Sequence, residues 1–456
     1  MSGIRIYRGT NQIGGIVTEF RNAGHRILID FGANLPGTEN AGTDDQALVD
    51  MVFGKKSDAV TTDAVLFTHY HGDHVGLKTL IPEDIPLYVG KTAKEIMKTI
   101  AKSVDFLKKR TGQGNEIEMP VIERMKPYWR LDTSRNFHGI EVTPLVCDHS
   151  ALDAYMFVIR MNGKKILYTG DFREHGVPGS GTFVKMIREK VGKVDILVTE
   201  GTMVSRKEEA GQNPIRDEAE LKKRAKEIFE AHKENVVLVS STNLDSVMGF
   251  YLATPKDKAF LCDPYQAQIM KIAIEARHKY FPNTYQYKKT IYVLCPGEYD
   301  GYMQDLKYIT DKKSGRNYFM MAKPEIYLKK GFVMLARPNR NPNFKTGRFE
   351  ERMLQMENPF LTYSLWTGYL RGGKAEDPAI VNFLDGRITQ ENMEVLHTSG
   401  HAYVETLKKL MDMTEPKVII PMHTEDAAAF EQMPEFGAYK NRIHRLGDGE
   451  IYELFT

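Results

Sequence analysis

The run His69-Tyr70-His71-Gly72-Asp73-His74 is the densest concentration of chemistry in the 456-residue chain, and it directly follows the apolar run DAVLF. Imidazole and carboxylate together suit zinc or manganese. A tight loop after a strand can turn residues 69 and 71 one way and residues 73 and 74 another, so one loop can serve two metals. Three later residues fit as completing ligands. His149 sits at the end of EVTPLVCDHS, Asp171 ends ILYTGD, and His423 lies in VIIPMHTED. Each stands at the C-terminal edge of an apolar run, as the first cluster does. In layered α/β folds that edge is where sites collect, because its loops hang from a rigid sheet.

The positioning elements can be read from the pattern. RILIDFG (26–32), DAVLFTH (63–69), KKILYTGD (164–171) and VDILVTEG (194–201) read as strands. The stretch Lys91 to Arg110 reads as a helix, with Ile96, Ile100, Val104 and Leu107 at helical spacing. A second helix is expected from about Pro214 to Lys233, opened by Asn213-Pro214. From Val204 to Lys374 the texture changes. This stretch holds 13 of the 22 tyrosines and 29 Lys and Arg against 20 Asp and Glu, in a chain whose net charge is only +2. It is broken by segments such as RPNRNPNF (337–344). Strand-and-turn texture returns in NMEVLHTSGHA (392–402) and KVIIPMHTED (417–426). The expectation is a core domain in two parts, 1–203 and 375–456, interrupted by an inserted domain at 204–374.

Composition removes other classes. With 42% hydrophobic and 27% charged residues, neither global disorder nor a coiled coil fits. No run approaches the ~18 apolar residues needed to span a bilayer. The N-terminus MSGIRIYRGTNQIGG lacks the apolar core of a signal peptide. Cys147, Cys262 and Cys295 make no disulfide framework and no zinc pattern of their own, so a cytoplasmic setting is expected and Cys147 reads as a small buried hydrophobe. The basic insertion interleaves aromatics with Lys and Arg, as in RHKYFPNTYQYKK (277–289) and KKSGRNYFMMAK (312–323). Such a surface favours an acidic partner, and some of its tyrosines could stack on bases of a single strand.

The sequence resembles a metallo-β-lactamase-fold hydrolase and, within that fold, a β-CASP nuclease of the ribonuclease J type. The resemblance spans nearly the whole chain. It is carried by ILIDFG (27–32), THYHGDHVGL (68–77), DHSALDAYMFVI (148–159), ILYTGDFR (166–173), VTEGT (198–202), LHTSGHA (396–402) and PMHTE (421–425). It implies an α/β fold: a metallo-β-lactamase αββα sandwich with an inserted β-CASP α/β domain. It implies two Zn2+ ions, with Mn2+ or Mg2+ as alternatives. His69, His71 and His149 would hold one ion, Asp73, His74 and His423 the other, and Asp171 would bridge both. Asp30 would orient a ligand histidine, and Glu200 would orient His401 or a ligand. Asp73 would accept a proton during catalysis. His401 would hydrogen-bond a phosphoryl oxygen or protonate the leaving oxygen. Ser399 and Gly400 share the SGH turn with His401, where a glycine lets backbone N–H groups approach a phosphate. STNLDS (241–246) resembles the segment that helps bind a terminal phosphate in ribonuclease J, which makes Ser241 and Asn243 candidate substrate contacts. His397 reads as a core histidine. No role is assigned to His25, His175 or His444.

The expected activity is hydrolysis of single-stranded RNA, 5′-exo and/or endo. The preference for RNA rests on the resemblance: RNA-processing members carry a histidine at the position of His423, where DNA-repair members generally carry an apolar residue. The partner expected is single-stranded RNA, with no membrane and with a homodimer left open. No counterpart of the further C-terminal domain usual in ribonuclease J, or of a KH-type N-terminal extension, is expected. Two alternatives stand beside this reading. One is a metallo-hydrolase acting on DNA or a small phosphodiester. The other is a catalytically silent RNA-binding subunit of a processing complex, which the seven filled ligand positions disfavour.

Overall fold

The computed structural model describes residues 2–35, 44–54, 60–111, 117–207, 215–276, 285–294, 306, 315, 317–338, 353, 356–385 and 388–455, without the side chains of 105–111, 325, 326 and 390. Cys295, the Asn213-Pro214 helix start, RPNRNPNF from Asn339 onward and most of the charged first parts of RHKYFPNTYQYKK and KKSGRNYFMMAK lie outside the described residues.

The chain divides into two compact units. One comprises 1–101, 115–212 and 399–456; the other comprises 102–114 and 213–398. The second unit runs to 398, past the change of texture near Lys374. Beyond it the chain still adds the helix Pro378–Leu384 and the strand Met393–Val395 to the inserted sheet.

The first unit contains two sheets of similar design. The first sheet runs in the order Ile451–Glu453, Gly3–Arg8, Val17–Asn22, His25–Ile29, Thr61–Leu66, Leu87–Val89, Lys126–Pro127. Its first four strands are antiparallel and the rest parallel. The second runs Val418–Met422, Ile196–Glu200, Lys164–Tyr168, Ala154–Met161, Ile140–Cys147, Arg135–Phe137. Its first three strands are parallel and the rest antiparallel. The sheets face each other through side chains such as Phe20 and Tyr168, whose rings meet edge-on at 5.9 Å. The outer face of the second sheet is covered by helices Gly179–Met186 and Val404–Thr414. Phe183, Leu407 and Leu410 there pack in one core with Val158, Leu167 and Leu197. Over the first sheet lies the helix Asp45–Phe53, whose Phe53 packs on Phe31. Layers of helix, sheet, sheet and helix result, as expected. The helix Lys91–Thr111 forms, but its buried face is Ala93, Ile96, Met97 and Ala101, while Val104 is exposed.

The second unit is built on an all-parallel sheet in the order Phe319–Met321, Ile291–Val293, Ala259–Cys262, Phe332–Ala336, Glu234–Val239, Phe360–Ser364, Met393–Val395. Its central strands, such as FVMLA and FLTYS, are buried along their whole length. That is the expected signature of a parallel sheet covered on both faces. The second predicted helix spans Glu218–Ala231, capped by Asp217. Cys147 and Cys262 are buried free thiols. No helix of the described residues is long and apolar enough to cross a membrane.

A buried polar network braces the first sheet. Glu19 accepts from Arg26 at 2.8 Å, from Arg21 at 2.8 Å and from Tyr7 at 2.9 Å. Burial raises the Glu19 pKa, but the two guanidinium groups outweigh it and hold the carboxyl below its ordinary range. Its contribution to stability is therefore present above the ordinary glutamate pKa and disappears as pH falls through the depressed one. Glu19→Gln leaves Arg26 buried without its counter-charge and should cost about 3 kcal/mol at neutral pH. In denaturant titrations the gap to wild type should be full above about pH 4.3 and close below it.

Candidate metal centre

Parallel strands deliver the site at their carboxyl ends. His25–Ile29 runs into Asp30, Thr61–Leu66 into Thr68 and His69, Lys164–Tyr168 into Asp171, and Val418–Met422 into His423, while Ile196–Glu200 ends on Glu200. Two of these exits need a left-handed backbone, with φ +62° at Asp30 and +50° at His423. Non-glycine residues held there cost free energy and concentrate at functional sites. Asp73 and His74 sit on the short helical turn Gly72–Val75. The chain at Gly32 passes so close that a Cβ there would lie 1.7 Å from the Asp73 carbonyl oxygen, so only glycine fits.

All seven residues singled out as ligands converge. The donor atoms of His69, His71 and His149 lie within 4.8 Å of one another, and so do those of Asp73, His74, Asp171 and His423. His149 Nε2 is 3.3 Å from His71 Nδ1. Asp73 Oδ2 is 3.3 Å from His423 Nε2. Asp171 Oδ2 reaches both groups, at 3.1 Å from His74 Nε2, 3.7 Å from His423 Nε2 and 3.9 Å from His69 Nε2.

Four imidazoles are held from behind by their Nδ1 atoms. His74 Nδ1 meets Asp30 at 2.8 Å, and His423 Nδ1 meets the Thr202 hydroxyl at 2.8 Å. His149 Nδ1 donates to the Gly400 carbonyl at 2.6 Å, and His69 Nδ1 meets the Thr68 hydroxyl at 3.0 Å. Each Nε2 is thereby turned into the site. Such backing contacts fix the tautomer and ring orientation of a metal-binding histidine. His69 Nε2, His74 Nε2 and Asp171 Oδ1 are buried and have no hydrogen-bond partner among the described residues. Buried polar atoms aimed at one point, in a set of imidazoles and carboxylates, fit divalent ions of the zinc or manganese kind.

The electrostatics suit the same purpose. Burial pushes His69 and His149 far below the ordinary imidazole pKa and lowers His71 to about 4, so these rings are neutral near pH 7. Neutral nitrogen is what a metal ligand requires. For Asp73 and Asp171 burial raises the pKa, but the surrounding histidines outweigh it and keep both carboxyls ionised. Burial also opposes charge on His74, but Asp171, Asp30 and Asp73 together raise it well above its ordinary value.

Glu200 and His401 stand beside this centre. His401 Nδ1 is 3.0 Å from Glu200 Oε2 and 3.7 Å from Asp171 Oδ2. Glu200 also accepts from the backbone N–H groups of Phe172 and Ala402. It is thus a rigid anchor for His401 rather than a surface acid. Ser399 and Gly400 form the turn just before His401, and Ser399 Oγ accepts from the His401 N–H at 3.0 Å. Ser241 and Asn243 belong to the second unit, between the strand Glu234–Val239 and the helix Leu244–Ala253. Both are buried, and Ser241 Oγ and Asn243 Oδ1 lack hydrogen-bond partners among the described residues. His397, expected in a core, is only half-buried.

Sequence reading passed over the bracing of the SGH turn. Arg173, two residues after Asp171, donates to Asp148 Oδ1 at 3.2 Å and to the Ser399 carbonyl at 3.0 Å. His175 Nε2 donates to the same carbonyl at 2.8 Å. Together they tie the His149 loop to the His401 turn. Thr68 and Thr202 were missed as well. Nothing but their adjacency to His69 and Glu200 marks them in the sequence.

Comparison with known proteins agrees with this geometry. Residues 25–238 match a family described as the beta-lactamase superfamily domain. Residues 390–437, which hold Ser399, His401 and His423, match a Zn-dependent metallo-hydrolase RNA specificity domain. Together the two matches support a place among the metallo-β-lactamase β-CASP proteins. An endoribonuclease YSH1 from Mycosarcoma maydis is 31% identical over 126 residues, covering 25% of this chain and 14% of that protein. A ribonuclease J from Mycobacterium tuberculosis is 28% identical over 184 residues, covering 38% of this chain and 28% of that protein. The match therefore spans well under a third of either relative. A solved structure of a protein of unknown function from Enterococcus faecalis V583 superposes with a TM-score of 0.69 at 18% identity, covering 99% of this chain and 100% of that one. It shows that the fold is shared.

The backing contacts make a direct test. Asp30→Asn keeps the left-handed backbone, which asparagine tolerates, but removes the charge behind His74. Metal affinity, read by titration of the stripped protein, should fall about 10–100-fold.

Proposed function

We propose that this chain is a metal-dependent ribonuclease that hydrolyses phosphodiester bonds of single-stranded RNA. The observation that carries the reading is the convergence of seven donor side chains, five of them buried, with His69 Nε2, His74 Nε2 and Asp171 Oδ1 unpartnered among the described residues. In this reading His69, His71 and His149 would hold one ion and Asp73, His74 and His423 a second, with Asp171 a ligand available to both. Zinc is the metal best suited to this set, with Mn2+ or Mg2+ as alternatives. Bound there, a pair of divalent ions supplies a nucleophilic hydroxide near neutral pH and neutralises charge on the phosphoryl oxygens.

The protein's own groups do the rest. Asp73, ionised and half-buried at the edge of the cluster, takes the proton of the attacking water. For His401, burial disfavours the charged ring, but Glu200 and Asp171 outweigh it and raise its pKa. His401 therefore holds a proton to donate to a phosphoryl oxygen or to the leaving oxygen. Glu200 keeps its Nδ1 engaged, so Nε2 is the atom offered to substrate. Ser399 and Gly400 hold the turn from which His401 projects, and Ser241 and Asn243 are proposed contacts to a phosphate of the RNA. Two features support RNA as substrate: the RNA specificity match over 390–437 and the named ribonucleases among the relatives. A cytoplasmic setting is in keeping with the buried free thiols.

Purified protein should cleave 5′-monophosphorylated single-stranded RNA faster than matched DNA or bis-p-nitrophenyl phosphate. DNA cut as fast as RNA would overturn the substrate assignment. Asp73→Ala should reduce RNA cleavage at least about 10³-fold, by removing a proton acceptor and a ligand together. It should leave RNA binding within a few-fold of wild type, and unchanged turnover would refute the proposed centre. RNA affinity should fall steeply with salt, each neutralised phosphate of a single strand adding about −0.7 to the log–log slope. A flat response would remove the basic insertion from the account.

A further inference from the structure

Outside the metal centre, the described residues bring three metal-ligating side chains together at one further place: His25, Asp63 and His138. All three belong to the first unit. They lie at the ends of the strands opposite to those that deliver the centre, since His25 begins the strand that Asp30 follows and Asp63 begins the approach to His69.

Three separate backbone irregularities aim these side chains at one point. His25 leaves a two-residue turn, Ala23-Gly24, whose residues both have positive φ. Asp63 is the extra residue of a β-bulge: Arg26 pairs with Thr62 and Ile27 with Ala64, which leaves Asp63 unpaired. Bulges of this kind re-aim a side chain. His138 occupies the first central position of the hairpin turn His138-Gly139, at φ +47°. Asparagine, aspartate or glycine is the residue such a turn prefers. The turn is pinned where it stands, because Asn22 donates to the His138 carbonyl and Asn136 accepts from the Gly139 N–H.

The side chains form a set of donors and not a mere charge cluster. His25 Nδ1 is 3.0 Å from one oxygen of Asp63, and His138 Nδ1 is 2.9 Å from the other. The two rings are stacked, with centroids 3.7 Å apart and planes within 17°. Both Nδ1 atoms thus converge on a single carboxylate. Each Nδ1 lone pair lies in its own ring plane, so an ion shared by both rings requires one of them to tilt out of this stack, and the exposed His138 is the ring with room to do so. Two imidazoles and a carboxylate favour late first-row divalent ions over Ca2+ or Mg2+. His138 is 61% exposed, which leaves room for water in the remaining positions.

We propose that His25, Asp63 and His138 form a third, peripheral metal site that takes Zn2+ or a similar transition-metal ion. His25 and Asp63 belong to the first sheet and His138 to a hairpin of the second. An ion held there ties the two sheets together at the end remote from the metal centre. An ion bound there takes the Nδ1 lone pair of each ring, in the tautomer whose N–H is on Nε2.

The test uses the full chain, stripped with a chelator and dialysed to equilibrium against buffered low-micromolar free Zn2+, with bound zinc counted by atomic emission. His138→Asn creates Asn-Gly, the pair best suited to this turn, so the variant should fold at least as well as wild type without metal. Asp63→Asn is the second variant. Each should bind one zinc per chain fewer than wild type at the same free zinc, with RNA cleavage unchanged. Added Zn2+ should raise the melting temperature of wild type by more than that of either variant. Equal zinc content in wild type and both variants would overturn the proposal. The difference between proteins is read whether or not the chain cleaves RNA, so it stands apart from the proposed activity.

Discussion

Burying a dense set of imidazoles and carboxylates is the constraint on which the rest of the first unit depends. His69, His74 and His423 are wholly shielded from solvent, and His149 and Asp171 nearly so. Desolvation penalises every charge placed there, and an unsatisfied buried polar atom costs free energy of its own. The protein meets this from one side only. Asp30, Thr68, Thr202 and the Gly400 carbonyl satisfy the Nδ1 atoms, while the opposite nitrogens and Asp171 Oδ1 are left facing one another. The neutral nitrogens of His69, His71 and His149 and the ionised carboxylates of Asp73 and Asp171 around one point are the complement of a cation.

The hybrid sheets explain how so many donors reach that point. In each sheet antiparallel strands fill one side and parallel strands the other, and the parallel strands carry the donors at their carboxyl ends. The parallel strands His25–Ile29, Thr61–Leu66, Lys164–Tyr168, Ile196–Glu200 and Val418–Met422 each lead into a donor or into the residue that braces one. The left-handed exits at Asp30 and His423 show the cost of turning the chain sharply enough. The packed sheets absorb that cost, since core burial far exceeds what two strained residues consume. The SGH turn is held by a different device, in which Arg173 and His175 grip the Ser399 carbonyl. Loop segments far apart in the chain are thereby locked at the spacing a reaction needs.

Much of this was legible in advance because its signals are local. The HYHGDH run carries its meaning in six consecutive residues, and apolar runs ending in Asp171, Glu200 or His423 mark strand ends without any partner strand being known. The helix Pro378–Leu384 and the strand Met393–Val395 of the second unit lie past the change in charge and tyrosine content, because their texture resembles that of the core. Val104 follows the helical spacing and is nonetheless exposed, since periodicity identifies a stripe but not where its cover ends.

The sequence by itself determined the donor types, the strands that carry them and the kind of ion they suit, because these follow from side-chain chemistry and short-range periodicity. Only the tertiary structure decided which donors face each other, which hydroxyls and carbonyls stand behind them, and that Arg173 reaches Ser399. It also decided that His25 and His138, unremarkable in the sequence, share one carboxylate. These are contacts between segments far apart in the chain, set by strand order, a bulge and two tight turns. No local pattern encodes where two such segments meet, since that is fixed by the packing of the whole sandwich.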